Sequence, residues 1–302
     1  MPFDFAAKVQ GFSPDYCQNF VSINGLPAYF CAMRFQLIGF LLILALYACN
    51  GGDKTNQDAG NNSRESSLRA AMHAFPDSLL MAENLIQYYR DNGDQSAAIH
   101  LADSLANGRF QKNARIWHIK AILHFENEDT VQALKALEQT VAREPSPDYM
   151  TELGILYAHT GNPGAQAIAD SLMATDADRL GHQSWYIRGL YHAAIGEKKL
   201  AINCFDQSIA QSLTFTEPYR EKALVLYDMG LYEDALGVLD KCVALNNSFD
   251  EGHYYRGRCL EKLKRYDEAK EAYETALLYD PGYHEAILAL DRLEATQGQS
   301  NP

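Results

Sequence analysis

The chain has 302 residues and a formal net charge of −13, from 26 basic and 39 acidic side chains. Hydrophobic residues make up 47% of it, which is enough to build a core and excludes a globally disordered chain. The acidic balance argues against a nucleic-acid partner, because binding phosphate groups needs a basic surface.

A segment typical of a signal peptide lies near the N-terminus. Met33 and Arg34 form a short basic start, and residues 35–47 are apolar except for Gln36 and Gly39. This run is shorter than the about 20 residues that span a bilayer, and it has the length of a signal-peptide core. The sequence therefore predicts a secretory signal in this segment.

The segment closes on Leu46-Tyr47-Ala48-Cys49. This end resembles the lipobox of bacterial lipoproteins, in which the cysteine becomes the lipidated first residue of the mature protein. The resemblance implies a signal peptide over residues 33–49, palmitate on Cys49 and a membrane-anchored lipoprotein of the cell envelope, at the outer membrane. The alternative is a plain membrane anchor that happens to be followed by a cysteine.

Two flanking segments show no convincing period. We interpret residues 1–32 as a non-native or disordered extension, because a signal peptide has its basic end at the start; the alternative is a cytoplasmic tail on an uncleaved anchor. Residues 50–66 begin with a stretch rich in glycine, asparagine and aspartate, and they are predicted to form a flexible tether.

Residues 67–294 are predicted to be helical, and alanine recurs in them at a fixed interval. The periodic positions are Ala133, Ala167, Ala201, Ala235 and Ala269. A fixed period of about 34 residues is typical of a stacked array of helix pairs.

Two further sets of residues keep the same period. Small residues lie twelve positions before an alanine, at Ala121, Gly189, Ala223 and Gly257, and larger ones lie four positions after it, at Leu137, Phe205, Leu239 and Tyr273. We expect each small residue to face the periodic alanine across the two helices of a pair, because a larger side chain would force the helices apart. Replacing Ala235 by a large residue is expected to cost about 1–3 kcal/mol.

The array resembles a tetratricopeptide repeat domain, whose pattern is Trp-x2-Leu-Gly-x2-Tyr, then Ala-x3-Phe, then Pro. The best copy here runs Gly257-x11-Ala269-x3-Tyr273-x2-Ala276-x4-Pro281. The resemblance implies an all-α fold, a right-handed superhelical solenoid of antiparallel helix pairs.

The resemblance covers residues 76–281 and allows six units. Residues 283–293 are predicted to form a closing helix, and residues 295–302 a disordered tail. The third unit departs from the pattern. Gly154 lies one position farther from Ala167 than Gly189 lies from Ala201, so the turn of this unit is expected to hold one extra residue.

The resemblance also implies a binding surface, because the first helices of such units line a concave groove that takes peptides or partner helices. Tyrosine and arginine are favoured in binding hot spots. The groove candidates are therefore Tyr186, Arg220, Tyr227, Tyr254 and Arg258. The alternative is that these aromatic residues pack against adjacent helices. The family's peptide-carboxylate grip uses Lys and Asn, where this chain has Tyr254 and Arg258, so that grip is not expected.

Enzyme motifs are absent from the sequence. It contains no phosphate-binding glycine loop, no nucleophile elbow and no zinc-binding histidine pair at helical spacing, so we predict no catalytic residue, no metal ligand, no cofactor and no small-molecule substrate. Cys242 and Cys259 are interpreted as buried thiols, and their pairing stays open. The predicted function is a lipid-anchored scaffold for a protein or peptide partner. The alternatives are a non-catalytic subunit of an envelope enzyme or secretion complex, or a cytoplasmic adaptor.

Overall fold

The computed structural model describes the backbone of residues 54–298 and the side chains of residues 63–295. This part of the chain forms fourteen helices and no strand. The helices are α1 (Lys54–Ala74), α2 (Leu79–Asp91), α3 (Gln95–Asn107), α4 (Ala114–Glu126), α5 (Thr130–Arg143), α6 (Pro147–His159), α7 (Gly164–Thr175), α8 (Ala177–Ala194), α9 (Lys198–Gln211), α10 (Glu217–Asp228), α11 (Tyr232–Leu245), α12 (Asp250–Lys262), α13 (Tyr266–Tyr279) and α14 (His284–Gly298). The all-α repeat fold predicted from the sequence is confirmed.

The helical region is longer than the sequence predicts at both ends. Helix α1 starts at Lys54, inside the predicted tether, and α14 ends at Gly298, inside the predicted tail. Residues 1–53 and 299–302 lie outside the described part of the chain, and with them the predicted signal segment and Cys49. Between residues 54 and 298, no helix has both the length and the apolar content that crossing a membrane requires.

The chain divides into two compact units. The first unit holds α1, α2 and α3 with residues 122–127, and the second holds residues 111–121 and everything from residue 128 onward. Helix α4 thus gives its beginning to the second unit and its end to the first.

In the first unit, α1 lies against α2. The Glu65 carboxylate accepts a hydrogen bond from the Tyr89 hydroxyl at 2.8 Å and one from Nε of Arg69 at 2.8 Å. Leu85 and Ala98, on α2 and α3, have no exposed surface. A polar helix therefore covers this end of the apolar core, as a repeat array needs at its ends.

The second unit is built from helix pairs. The first helices are α6, α8, α10 and α12, and each contacts its own second helix, which is α7, α9, α11 or α13. Each first helix also contacts the first helix of the next pair. We number these pairs third to sixth, counting α2–α3 and α4–α5 as the first two.

The turn between the two helices of a pair places one residue in the left-handed region. Gly161, Gly196 and Gly230 have φ values of +66°, +84° and +77°. Lys264 takes this position in the sixth pair with φ of +60°. Glycine adopts such a conformation without strain, whereas a side chain makes it costly.

Four of the five periodic alanines are buried: Ala133, Ala201, Ala235 and Ala269 are at most 1% exposed. The small residues of the first helices, however, make a different contact from the one expected. A Cβ atom on Gly257 would lie 2.5 Å from Cε1 of Tyr273, and one on Gly189 would collide with the ring of Phe205. In these two pairs, the nearest neighbour of the glycine in the first helix is therefore the large residue four positions after the alanine.

This contact explains a correlation in side-chain size. Outside the third pair, a glycine in the first helix goes with an aromatic residue in the second helix, as in Gly189 with Phe205. Where the first helix has alanine, as at Ala223, the second helix has leucine, as at Leu239, and both residues lie in one core cluster. Since protein interiors are close-packed, the summed volume of the two residues is what the pair conserves.

The third pair is where the predicted register is wrong. Ala167 is exposed, whereas Ala165, Ala169 and Leu172 have no exposed surface. Gly154 lies one position closer to Ala165 than Gly189 lies to Ala201. The turn itself holds four residues, 160–163, where the other pairs have three, so the extra turn residue expected from the sequence is present.

The turn between α6 and α7 has its own side-chain hydrogen bond. The side chain of Asn162 accepts a hydrogen bond from the backbone N–H of Gly164 at 2.9 Å, and α7 begins at Gly164 directly after Pro163. Helix α8 then follows after a single residue, Asp176, and is 18 residues long. Helix α7 begins 34 residues after α5 and 34 residues before α9, so only its packing positions are displaced, and the period returns at Ala201.

Helix α14 closes the second unit. Ala286, Ala289 and Leu293 are buried against the last pair, as the predicted closing helix requires. Ion pairs join Lys270 to Glu294 at 2.7 Å and Arg292 to Glu261 at 2.8 Å.

Candidate protein-binding surface

The predicted groove residues lie on one side of the first helices α8, α10 and α12. We call this side the first-helix surface and define it by Tyr186, Arg220, Tyr227, Tyr254 and Arg258. Two contacts link α10 to α12 on it. Arg220 meets Glu251, and Tyr227 meets Arg258. The two pairs have the same separation in sequence.

Arg220 is engaged inside the protein. Its Nη1 group donates a hydrogen bond to Glu251, while its Nε and Nη2 groups donate to Glu221 at 3.2 and 2.9 Å. The side chain of Arg220 is only 16% exposed. Burial lowers the pKa of the Arg220 guanidinium, but the attraction of Glu221 and Glu251 is stronger and places that pKa well above its ordinary value. Burial raises the pKa of the Glu251 carboxyl, whereas the positive charge of Arg220 lowers it. The effect of burial is larger, so this pKa lies above its ordinary value.

Arg258 lies among tyrosine rings. Its guanidinium carbon is 5.0 Å from the ring centre of Tyr227, 5.9 Å from that of Tyr254 and 5.8 Å from that of Tyr255. Burial lowers the pKa of Arg258, but Tyr254 and Tyr227 outweigh it and the pKa lies above its ordinary value. Among the described residues, Arg258 forms no ion pair with a carboxylate. It is a charged, partly exposed group whose faces are covered by aromatic rings.

The tyrosines around Arg258 form a continuous aromatic cluster. The ring of Tyr254 lies 5.0 Å from that of Tyr255, 5.8 Å from that of Tyr273 and 5.0 Å from that of Tyr283. Burial raises the pKa of Tyr255 to about 12, so its hydroxyl stays protonated and can donate a hydrogen bond at neutral pH. Aromatic side chains with a polar tip are well suited to a binding surface.

Tyr186 is part of the core. It is 4% exposed, and its ring lies 5.1 Å from that of Phe215 and 6.2 Å from that of Phe205. The five predicted residues thus divide into three groups. Tyr186 is buried, Arg220 is held by two carboxylates, and Tyr227, Tyr254 and Arg258 come together at the surface of the fifth and sixth pairs.

The first helices of the second and third pairs carry a hydrogen-bonded polar pair at the equivalent positions. His118 on α4 and Glu152 on α6 have the same separation in sequence as Tyr186 and Arg220 further along the chain. Nε2 of His118 is 2.7 Å from the Glu152 carboxylate, and the two side chains are 13% and 15% exposed. The ring of Tyr149 lies 4.9 Å from that of His118.

Sequence reasoning missed Glu251, Glu221 and Tyr255, which complete the surroundings of Arg220 and Arg258. One signal could have found Glu251. It precedes Tyr254 by three residues, so it shares a helix face with a predicted groove residue. Nothing in the sequence indicates that Glu251 would form an ion pair with Arg220.

No metal site or disulfide occurs in the described part of the chain. No group of three histidine, cysteine or acidic residues there could hold a metal ion. Cys204, Cys242 and Cys259 are free and buried. Burial raises the pKa of both Cys242 and Cys259 to about 12, so these thiols are weak nucleophiles.

Comparison with known families identifies the repeats. Residues 250–283, which hold α12 and α13, and residues 120–172, which run from α4 into α7, each match a family model described as tetratricopeptide repeat. Tetratricopeptide repeats are therefore found in these two segments. The second match includes most of the third pair, with its displaced packing positions.

A tetratricopeptide repeat protein from Parabacteroides merdae has a similar structure. The TM-score is 0.62 at 19% sequence identity, and the match covers 79% of this chain and 94% of that chain. At this level of identity the likeness is one of tetratricopeptide fold alone.

Two sequence relatives match over part of the repeats. The Hsp70-Hsp90 organizing protein of Triticum aestivum is 26% identical over 92 residues, which is 30% of this chain and 16% of the relative. The STIP1 homolog of Dictyostelium discoideum is 30% identical over 103 residues, which is 34% of this chain and 18% of the relative. The match thus spans less than a fifth of the length of either relative.

Proposed function

We propose that this chain is a lipid-anchored, non-catalytic scaffold of the bacterial cell envelope that binds a peptide or partner protein on its first-helix surface. The tetratricopeptide repeats support the scaffold role, and the Triticum aestivum relative is named for organizing other proteins. The observation that carries the binding site is the position of Arg258, over three tyrosine rings and without a carboxylate partner among the described residues.

The surroundings of Arg258 fit an acidic side chain of a partner. Three tyrosine rings lie close to the guanidinium, which also has a side-chain hydrogen bond to Tyr227. Its other N–H groups can donate to a carboxylate. The neighbouring tyrosine hydroxyls add further donors. This chain has Tyr254 and Arg258 in place of the Lys and Asn of the family's carboxylate grip, so the proposed contact rests on one arginine.

Peptide binding by purified protein tests this site. The probe is a fluorescent heptapeptide with two adjacent glutamates, and its control has glutamines in their place. We expect the glutamate peptide to bind about tenfold or more tightly, because hydrogen bonds to charged groups contribute about 1.5–3 kcal/mol. Arg258→Gln should abolish this preference.

Arg256→Gln is the matched control. Arg256 lies on the same helix but pairs with Asp240 at 2.6 Å, away from the tyrosine cluster. Its replacement should leave the preference for the glutamate peptide unchanged. Equal binding of the two peptides, or a preference that survives Arg258→Gln, would contradict the proposed site.

The lipid anchor is the second part of the proposal, and it rests on the sequence around Cys49. Cells that express the chain and are fed radioactive palmitate should label it, and Cys49→Ser should remove the label. Mature protein that retains residues 2–32 by intact mass would contradict the lipoprotein assignment. A cytoplasmic adaptor would then be the better description.

A further inference from the structure

We propose that Arg220 is a positioning residue: its contact with Glu251 sets the register of α12 against α10 and so holds the Arg258 guanidinium over Tyr227. The proposal gives Arg220 a role other than the direct partner contact expected from the sequence. Its meaning for binding rests on the function proposed above.

The spacing of the two contacts carries this inference. Arg220 and Tyr227 lie seven residues apart on α10, and Glu251 and Arg258 lie seven residues apart on α12. Seven residues are two helical turns, or about 10 Å along the axis. The same faces of both helices therefore meet at two levels, with a buried ion pair at one level and a cation–ring contact at the next.

The ion pair is the more directional of the two contacts. The three nitrogen atoms of the Arg220 guanidinium all donate, to Glu221 on its own helix and to Glu251 on α12. A guanidinium fork accepts only a narrow range of carboxylate positions. A cation over a ring face tolerates larger displacements, since the attraction falls off gradually within about 6 Å.

Tyr255 connects the two levels. Its ring lies 5.8 Å from the Arg258 guanidinium, and the charges of Arg220 and Glu251 both act on its hydroxyl. A shift of α12 along α10 would thus disturb the ion pair, Tyr255 and Arg258 together. The geometry leaves Arg220 no N–H-bearing nitrogen that is free of a carboxylate, which argues against direct partner binding by Arg220.

The NMR signal of the Arg258 Nε–Hε group tests the proposal without any partner. A proton close to an aromatic ring is displaced from its usual chemical shift by the ring current. In the full protein, we expect Glu251→Leu and Arg220→Lys each to move this signal toward the value of exposed arginines, while circular dichroism stays helical. Arg256→Lys, on the same helix, should leave it in place.

Glu251→Leu is the deciding variant, because it places an apolar side chain at a buried site and leaves Arg220 paired with Glu221. An unchanged Arg258 signal in a folded Glu251→Leu protein would overturn the positioning role. The glutamate peptide gives a second measurement. Glu251→Leu should weaken its binding several-fold, although Glu251 does not touch the peptide. A displaced Arg258 signal with no peptide binding in the unaltered protein would count against the proposed function alone.

Discussion

The third and sixth pairs lie in the same unit, but they differ in register, in packing and in the surface they offer. In the third pair, Ala165 takes the packing position, two residues before the periodic position. In the sixth pair, Ala269 takes that position at the regular period. The array therefore tolerates a shift of register in one pair.

The two pairs also differ in polar chemistry. Glu152 of the third pair is hydrogen-bonded to His118 and mostly buried. Arg258 of the sixth pair stacks on tyrosine rings and pairs with no carboxylate in the described part of the chain. We infer that the third pair is structural and that the sixth pair is available to a partner.

The largest expected effect separates the two alanines of α7. Ala165→Leu should overpack the core and lower the free energy of unfolding by about 3 kcal/mol. Ala167→Leu should change it by less than about 0.5 kcal/mol, because Ala167 is exposed. Urea unfolding followed by circular dichroism measures both. The same cost for the two variants would refute the register described here, and Ala269→Leu provides the matching value for the sixth pair.

The next effect concerns the glycines of the first helices. Gly257→Ala should cost about 1–2 kcal/mol, because its Cβ would lie 2.5 Å from the rigid ring of Tyr273. Gly154→Ala should also destabilise the protein, since its Cβ would lie 2.7 Å from Cδ1 of Ile187 and 2.9 Å from Cγ2 of Ile168. Adding Tyr273→Leu to Gly257→Ala should recover part of the loss. If the double variant is less stable than the two single changes added together predict, the size correlation between the helices is not a packing rule.

Breaking the hydrogen-bonded contact between His118 and Glu152 should have a smaller effect. His118→Ala leaves the Glu152 carboxylate without its ring partner in a mostly buried place, and we expect a loss of about 1 kcal/mol. His118→Ala should leave binding of the glutamate peptide at the sixth pair intact. A loss of peptide binding without a loss of folding would mean that the third pair belongs to the binding site.

The smallest effects are expected in the turns. Lys264→Gly should stabilise the protein by about 0.5–1 kcal/mol, because Lys264 has φ of +60°. Gly161→Ala should destabilise it by about 1 kcal/mol, since Gly161 has φ of +66° in the third pair. Thermal unfolding midpoints should move in opposite directions for the two variants, and a shift in the same direction would contradict the account of these turns.

Much of the fold could be predicted from the sequence because packing repeats with the chain. Ala201, Ala235 and Ala269 keep their spacing. The sequence also shows that the small Gly257 goes with the large Tyr273. The third pair escaped because its packing position lies two residues before the periodic position, where the exposed Ala167 happens to be an alanine as well. The spacing of Ala165, Ala169 and Leu172, which repeats that of Ala133, Leu137 and Thr140, was the available signal.

The binding surface was less predictable, because exposure and pairing depend on contacts between helices. The sequence places Tyr186, Arg220 and Tyr254 at equivalent positions, yet their surroundings differ. Tyr186 meets Phe215, Arg220 meets Glu251, and Tyr254 meets a cluster of tyrosines. A period gives the face of a helix, but it does not give the neighbour that covers it.

A titration of arginine-labelled protein with the glutamate peptide, followed by NMR of the Nε–Hε groups, observes the proposed contact itself. We expect the Arg258 signal to move progressively with peptide concentration. The Arg256 signal and the buried Arg220 signal should stay close to their positions. Peptide binding that moves other signals and leaves Arg258 unchanged would contradict it.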